Sequence, residues 1–241
     1  MITLVLATRN AHKVAEIRSI LSERWHYLAL SDIRGAPAVA EDAATFAGNA
    51  TRKAVQIAQW LSALPALPGQ PAARVKAEPD LTFVLADDSG LEVDALKGAP
   101  GVHSARFAAL DSGAPNNSTD AANNAKLLRL LNGVPLAARK ARFRCLMALT
   151  PVLAGSPGTV SPVCYADEAE IQTQLFEGIC EGTIGEAPSG SGGFGYDPLF
   201  IPNGFDQSFA SLGEAAKNRI SHRGRALVKV RQFLDGQADQ R

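Results

Sequence analysis

The chain has 241 residues, 46% hydrophobic and 20% charged, the make-up of a globular protein with enough apolar material for a sizeable core. Lys plus Arg and Asp plus Glu balance at 24 each, so no global field draws the protein to nucleic acid or to an anionic membrane, and any anion binding has to be local. Three cysteines, Cys145, Cys164 and Cys180, show no C-x-x-C spacing, which argues against a disulfide framework or a zinc site and suits a reducing cytoplasm.

The apolar run Ile2 to Ala7 is too short for a secretory core or a membrane span and predicts a strand. Val14, Ile17, Ile20 and Leu21 then share one helical face, and the loop Thr8-Arg9-Asn10-Ala11-His12-Lys13 lies between. A second helix is predicted over Thr45 to Leu61, where Phe46, Ala50, Ala54, Ile57, Ala58 and Leu61 recur with helical period; Asn49 and Lys53 are assigned to its polar face. Residues 62–80 are rich in proline and without period, which reads as an exposed loop. A strand over 81–86 runs into Asp87-Asp88 and is expected to break in a turn at Ser89-Gly90.

Farther on, Asp120 to Leu131 reads as a helix closed by Gly133, Arg142 to Leu149 as a strand entering a core, 155–162 as a hairpin connection and Glu170 to Ile184 as its returning strands. Ser211-Leu212-Gly213-Glu214 fits a capping box that opens a short helix carrying Lys217. Ser221 is expected to cap the last helix, whose apolar face is Ala226, Leu227, Val230, Phe233 and Leu234. The alternation predicts one domain over residues 1–241, of α/β (mixed α+β) class, with helices flanking a mixed sheet and loop insertions at 62–80 and 154–163.

Several segments carry groups suited to a phosphate or a hard cation. LADDSG, residues 85–90, sets two carboxylates at the end of a buried strand, where they either cap a turn or hold a metal ion. Asn10 and Lys13 precede a helix and form either a capped, solvated loop or an anion site on free helix N–H groups. Glu41-Asp42 either complements the start of the second helix or supplies an oxygen donor. Alone, Lys53 and Lys217 read as solvated lysines, Ser221-His222-Arg223 as a cap followed by exposed charge, and Phe194 and Tyr196 as core aromatics. Six glycines from Gly182 to Gly195 suggest a loop that lets something approach the backbone. There is no G-x-x-x-x-G-K-[ST], and the G-x-G-x-x-G match at 190–195 is followed by Pro198, which opposes the helix a dinucleotide site needs. The four histidines, at 12, 26, 103 and 222, have no metal-ligand spacing.

The combination is more specific than its parts. T-x-N-x-x-K at 8–13, E-x-x-x-T-F-x-x-N-A-x-x-K-A at 41–54, A-D-D-S-G-L at 86–91, G-A-P-G-V-x-S-A-R at 98–106, G-G-F-G-Y-D-P-L-F at 192–200 and K-x-x-x-S-H-R-G at 217–224 occur in that order. Together they closely resemble the inosine triphosphate pyrophosphatase family, in particular the bacterial dITP/XTP pyrophosphatases. The resemblance implies the fold of that family, with a substrate cleft between two lobes. It also implies Mg2+-dependent hydrolysis, with Mn2+ as the alternative ion, of ITP, dITP and XTP to the monophosphate and pyrophosphate by a homodimer. Thr8, Arg9, Asn10, Ala11, His12 and Lys13 would line the phosphate site, and Asp88 would bind the metal and act as general base. Glu41 matches a second metal-binding carboxylate and Lys53 a basic neighbour. Ser89, Phe194, Gly195, Tyr196 and Asp197 would contact substrate, with Lys217, His222 and Arg223 closing over base and phosphates. Arg9 stands where members commonly carry Gly or Ser, and Gly48 where many carry Glu. Two rival readings are a pyrophosphatase of the same architecture acting on other nucleotides, of the septum-formation-inhibitor-like type, and a non-catalytic nucleotide-binding regulator.

Overall fold

The structure, a computed structural model, describes residues 2–21, 24–64, 82–111, 113, 116–153 and 168–239. The insertion expected at 154–163, most of that at 62–80, the hairpin connection at 155–162 and Cys164 lie outside the described residues. Six strands, β1 (Thr3–Leu6), β2 (His26–Ala29), β3 (Thr82–Val93), β4 (Lys140–Pro151), β5 (Gln174–Ile184) and β6 (Phe200–Pro202), form one sheet in the order β2-β1-β3-β4-β5-β6. The sheet is mixed, as expected. β1 runs parallel to both β2 and β3, setting Val5 beside Leu28 and Val84, whereas β5 and β6 are antiparallel. All four residues of β1 are buried, the signature of a parallel strand covered on both faces. No helix among the described residues is long and apolar enough to cross a membrane.

The chain divides into two compact units. The first comprises Met1–Asp88, Leu146–Phe176 and Leu227–Arg241; the second comprises Ser89–Cys145 and Glu177–Ala226. In the first, helix α1 (Ala11–Leu21) buries Ile17 and Leu21, and α2 (Phe46–Ala63) buries Phe46, Ala50, Ala54, Ile57, Ala58 and Leu61. Thr45 is the N-cap of α2, its hydroxyl accepting from the Gly48 N–H at 3.0 Å. Asn49 and Lys53 are not on the polar face. They lie three and seven residues after Phe46, inside the apolar stripe by helical geometry, and both are buried.

The second unit packs helix α3 (Asp120–Leu130) through Leu127 against Leu91, Val93, Phe107 and Phe143. Phe143, Phe200 and Phe209 form an aromatic knot with ring centroids 4.7–6.1 Å apart. At Gly182 a Cβ would come within 2.3 Å of the Ile201 carbonyl oxygen and 2.6 Å of the Phe200 ring, so at this glycine it is the protein's own strand that approaches the backbone.

Three local expectations are corrected. β3 does not break at Ser89-Gly90 but continues to Val93, because Leu91 and Val93 resume the inward alternation and are fully buried in the second core. Glu168–Ile171 is a single helical turn, α4, so the returning strand begins only at Gln174; the Thr173 hydroxyl is held by the Ala169 carbonyl at 2.7 Å. Ser211 belongs to the preceding turn α5 (Phe209–Leu212), and α6 (Glu214–Ile220) starts after Gly213 without a side-chain cap. Ser221 does cap α7 (His222–Asp239), its Oγ accepting from the Gly224 N–H at 3.0 Å.

Candidate active site

In the first unit, β3 carries Asp87 and Asp88 to consecutive positions, and strand alternation gives them different partners. Lys13, on the first turn of α1, reaches both oxygens of Asp87 at 3.1 and 3.0 Å. Asp88 Oδ2 accepts from Asn49 Nδ2 at 2.9 Å, while Asn49 Oδ1 accepts from the Ala43 N–H at 2.9 Å, so one buried amide ties α2, the segment before it and the carboxylate together. Lys53 Nζ donates to the Asp87 carbonyl at 3.1 Å and pairs with Glu41 at 2.9 Å. Glu41 is therefore engaged by a buried lysine one turn beyond Asn49 rather than serving the helix terminus alone.

The electrostatics follow from burial. Desolvation pushes Asp88 up to about 6, with Glu41 adding to the rise; the Asn49 hydrogen bond and the charges of Lys53 and Lys13 oppose it. Burial by itself lowers Lys53, but the charges of Asp87, Glu41 and Asp88 outweigh it and hold the ammonium above its usual value. Three carboxylates thus face two ammonium groups. Among the described residues no group of three or more His, Cys, Asp or Glu side chains forms a ready metal cage. The donor set fits magnesium nonetheless, since that ion takes one or two carboxylates and completes its shell with waters and phosphate oxygens. Asp88 and Glu41 are the residues suited to hold it.

The loop before α1 is organised by Asn10, whose Oδ1 accepts from the N–H groups of His12 and Lys13 at 2.9 and 3.3 Å and whose own N–H donates to Thr8 Oγ1 at 3.1 Å. Thr8 and Lys13 are partly buried, and Arg9, Asn10, Ala11 and His12 are exposed. The Arg9 guanidinium donates to the Ala36 carbonyl at 2.6 Å, which gives the unusual residue a local partner. At Gly48 a Cβ would lie 3.0 Å from Ala43 Cβ and 3.1 Å from Thr45 Oγ1, so the cap leaves little room for a side chain there.

The second unit gathers the other predicted residues. Lys217 is buried on α6 and pairs with buried Asp197 at 2.7 Å, and the same Asp197 oxygen accepts from the Phe194 N–H at 2.9 Å. Lys217 Nζ lies 4.6 Å and the Arg223 guanidinium 5.7 Å from the Phe194 ring centroid, both within cation–π range. Arg223, almost fully buried, also donates to Ser89 Oγ at 3.4 Å. Two predicted contacts are bound into the fold itself: the Tyr196 hydroxyl donates to the Ser104 carbonyl at 2.8 Å, and the His222 ring stacks on Phe143 at 4.7 Å and 11°. At Gly193, φ is +74° and a Cβ would fall 2.2 Å from the Asp197 carboxylate, so only glycine permits this turn.

Asn49, Asp120 and Asn124 were not among the predicted site residues. For Asn49 the signal was available, since helical period places it in the buried stripe, where an amide needs partners.

Fold and side chains together define an α/β protein with a carboxylate–lysine cluster on a mixed sheet and a second set of cations gathered on an aromatic ring. The chain belongs to the Ham1 family, whose model matches residues 4–233. It is 43% identical over 233 residues to the dITP/XTP pyrophosphatase of Desulforamulus reducens, covering 96% of this chain and 95% of that one. To the dITP/XTP pyrophosphatase of Geobacter sulfurreducens it is 41% identical over 238 residues, 98% of each chain. Among solved structures, the HAM1 protein of Coxiella burnetii superimposes with a TM-score of 0.72 at 31% identity, covering 98% of this chain and all of that one. The nucleoside-triphosphatase / dITP/XTP pyrophosphatase of Mycobacterium abscessus gives 0.62 at 33% identity, over 95% of this chain and 98% of that one.

Proposed function

We propose that this chain hydrolyses the non-canonical purine nucleoside triphosphates ITP, dITP and XTP to the monophosphate and pyrophosphate, and so cleanses the nucleotide pool. The relatives named dITP/XTP pyrophosphatase support the reaction class. The observation that carries it is the charge balance around Asp88: Glu41, Asp87 and Asp88 gather there with Lys13 and Lys53, so a divalent cation is what lets a polyanionic triphosphate bind beside the carboxylates. Magnesium is the assigned ion, manganese the alternative; when bound it neutralises phosphate charge and acidifies water.

The residues then divide the work. Asp88 orients a water in line with the α-phosphorus and takes its proton as the new P–O bond forms. The P–O bond between the α-phosphorus and the bridging oxygen breaks, and its electron pair leaves with pyrophosphate. Lys13 and Lys53, held in place by Asp87 and Glu41, balance the charge that accumulates on the leaving group, and the Thr8–Lys13 loop binds the phosphates. In the second unit Phe194 stacks on the purine, with Ser89, Gly195, Tyr196 and Asp197 around it. Lys217, His222 and Arg223 offer donors to a 6-oxo group. Adenine, with a 6-amino donor, would leave those donors unpaired. The resemblance supports a homodimer acting as one pyrophosphatase domain over 1–241, and the cysteine pattern supports a cytoplasmic site of action.

Pyrophosphate release from ITP, XTP, GTP and ATP in magnesium tests this reading. ITP and XTP are expected to exceed ATP in kcat/KM by about 100-fold or more. Asp88→Asn is expected to lower kcat by roughly 10²–10⁴ with the fold kept. A preference for ATP, or near-normal turnover in the variant, overturns the assignment.

A further inference from the structure

Within the second unit, Gly195 has both of its backbone polar groups claimed by one face of α3. Its N–H donates to Asp120 Oδ2 at 2.6 Å and its carbonyl accepts from Asn124 Nδ2 at 2.9 Å. Asp120 and Asn124 are four residues apart, which places them one above the other on the helix. The flanking residues are anchored elsewhere: Phe194 through its N–H to Asp197, and Tyr196 through its hydroxyl to Ser104.

Asn124 is an unfavourable choice for its position. It is 8% exposed, and its Oδ1 is buried with no hydrogen-bond partner among the described residues. Asparagine is also a poorer helix former than leucine, and Leu127 and Leu128 next to it show that this stretch of α3 accepts leucine. Stability alone therefore favours an apolar side chain at 124. What an apolar side chain lacks is the N–H that fixes the Gly195 carbonyl, and with it the backbone directly after Phe194.

We propose that Asn124 is a positioning residue for purine recognition: by clamping Gly195 it holds the Phe194–Asp197 turn where the base is read, and the chain retains it although it weakens the fold. The inference rests on the pyrophosphatase reading above and adds a selectivity determinant outside the groups that touch substrate. A displaced turn weakens base recognition in ground and transition states alike, so the loss falls on KM more than on kcat.

The experiment compares wild type, Asn124→Leu and Asn124→Asp for ITP and ATP, with thermal melts of each. Asn124→Asp keeps the volume and removes the donor. Both variants are expected to lose about tenfold or more of the ITP over ATP ratio, mainly through a higher KM for ITP. Asn124→Leu is expected to melt at or above the wild-type temperature. A merely structural residue would instead give a lower melting temperature and equal losses on both substrates. Ratios within about twofold of wild type in both variants overturn the inference while the function stands; if Asn124→Leu does not fold, Asn124→Asp decides alone. Wild type showing no preference for ITP removes the function and this inference with it.

Discussion

Asp88 sits in a conflict that its neighbours only partly relieve: Asn49 and two lysines favour its charge, yet burial outweighs them and its folded value rises to about 6. A carboxyl group raised on folding contributes stability that is full below its ordinary range and lost as pH rises through the folded value. A rise of that size corresponds to at most about 3 kcal/mol. In metal-free protein, Asp88→Asn is therefore expected to be more stable than wild type at pH 8 by up to about 3 kcal/mol, with the gap closing toward pH 4. Urea unfolding at both pH values, with a chelator present, measures it. Equal stability at pH 8 would mean the carboxylate is satisfied as it stands. A variant that is more stable when empty and far slower when loaded marks a residue kept for chemistry.

At the scale of elements, α2 delivers Asn49 and Lys53 one and two turns after a single hydroxyl cap. Thr45→Ala removes the acceptor for the Gly48 N–H and should cost about 1 kcal/mol, while Thr45→Ser should restore most of it. Melting temperatures of the two variants test this. The helix itself was legible, since its apolar period and its Thr cap mark it to within about two residues at either end. The roles of its polar residues were less so. Periodicity shows that a position is inward, not which group waits there, and the partner of Asn49 is 39 residues away in sequence. The same limit explains Ser89-Gly90, where turn-forming residues outvoted Leu91 and Val93 locally, although the core fixed the strand. The Ser211 to Glu214 pattern failed for a related reason: Ser211 was already inside another turn.

For the whole molecule, equal numbers of acidic and basic residues and an isoelectric point near 6.9 leave little mutual repulsion at neutral pH. Solubility in a precipitant titration is expected to pass through a minimum within about one pH unit of that value and to rise on either side. A flat profile would show that local patches, not net charge, govern association. Balance overall also explains why composition could not point to a substrate: the informative charges are few and local. Their order along the chain carried the family, since six short motifs in sequence are far rarer than any one of them. The hydrogen bonds that organise them, such as Lys13 to Asp87 across 74 residues, became visible only in three dimensions.

The alternating pleat of β3 sets a rule of parity for this site. Asp87 meets an ammonium and Asp88 an amide only because they are odd and even neighbours on one ribbon. Removing a single residue between Thr82 and Asp87 would turn Asp88 toward Lys13 and carry Asp87 to the opposite face, one step short of Asn49, so the site depends on the number of residues in that run.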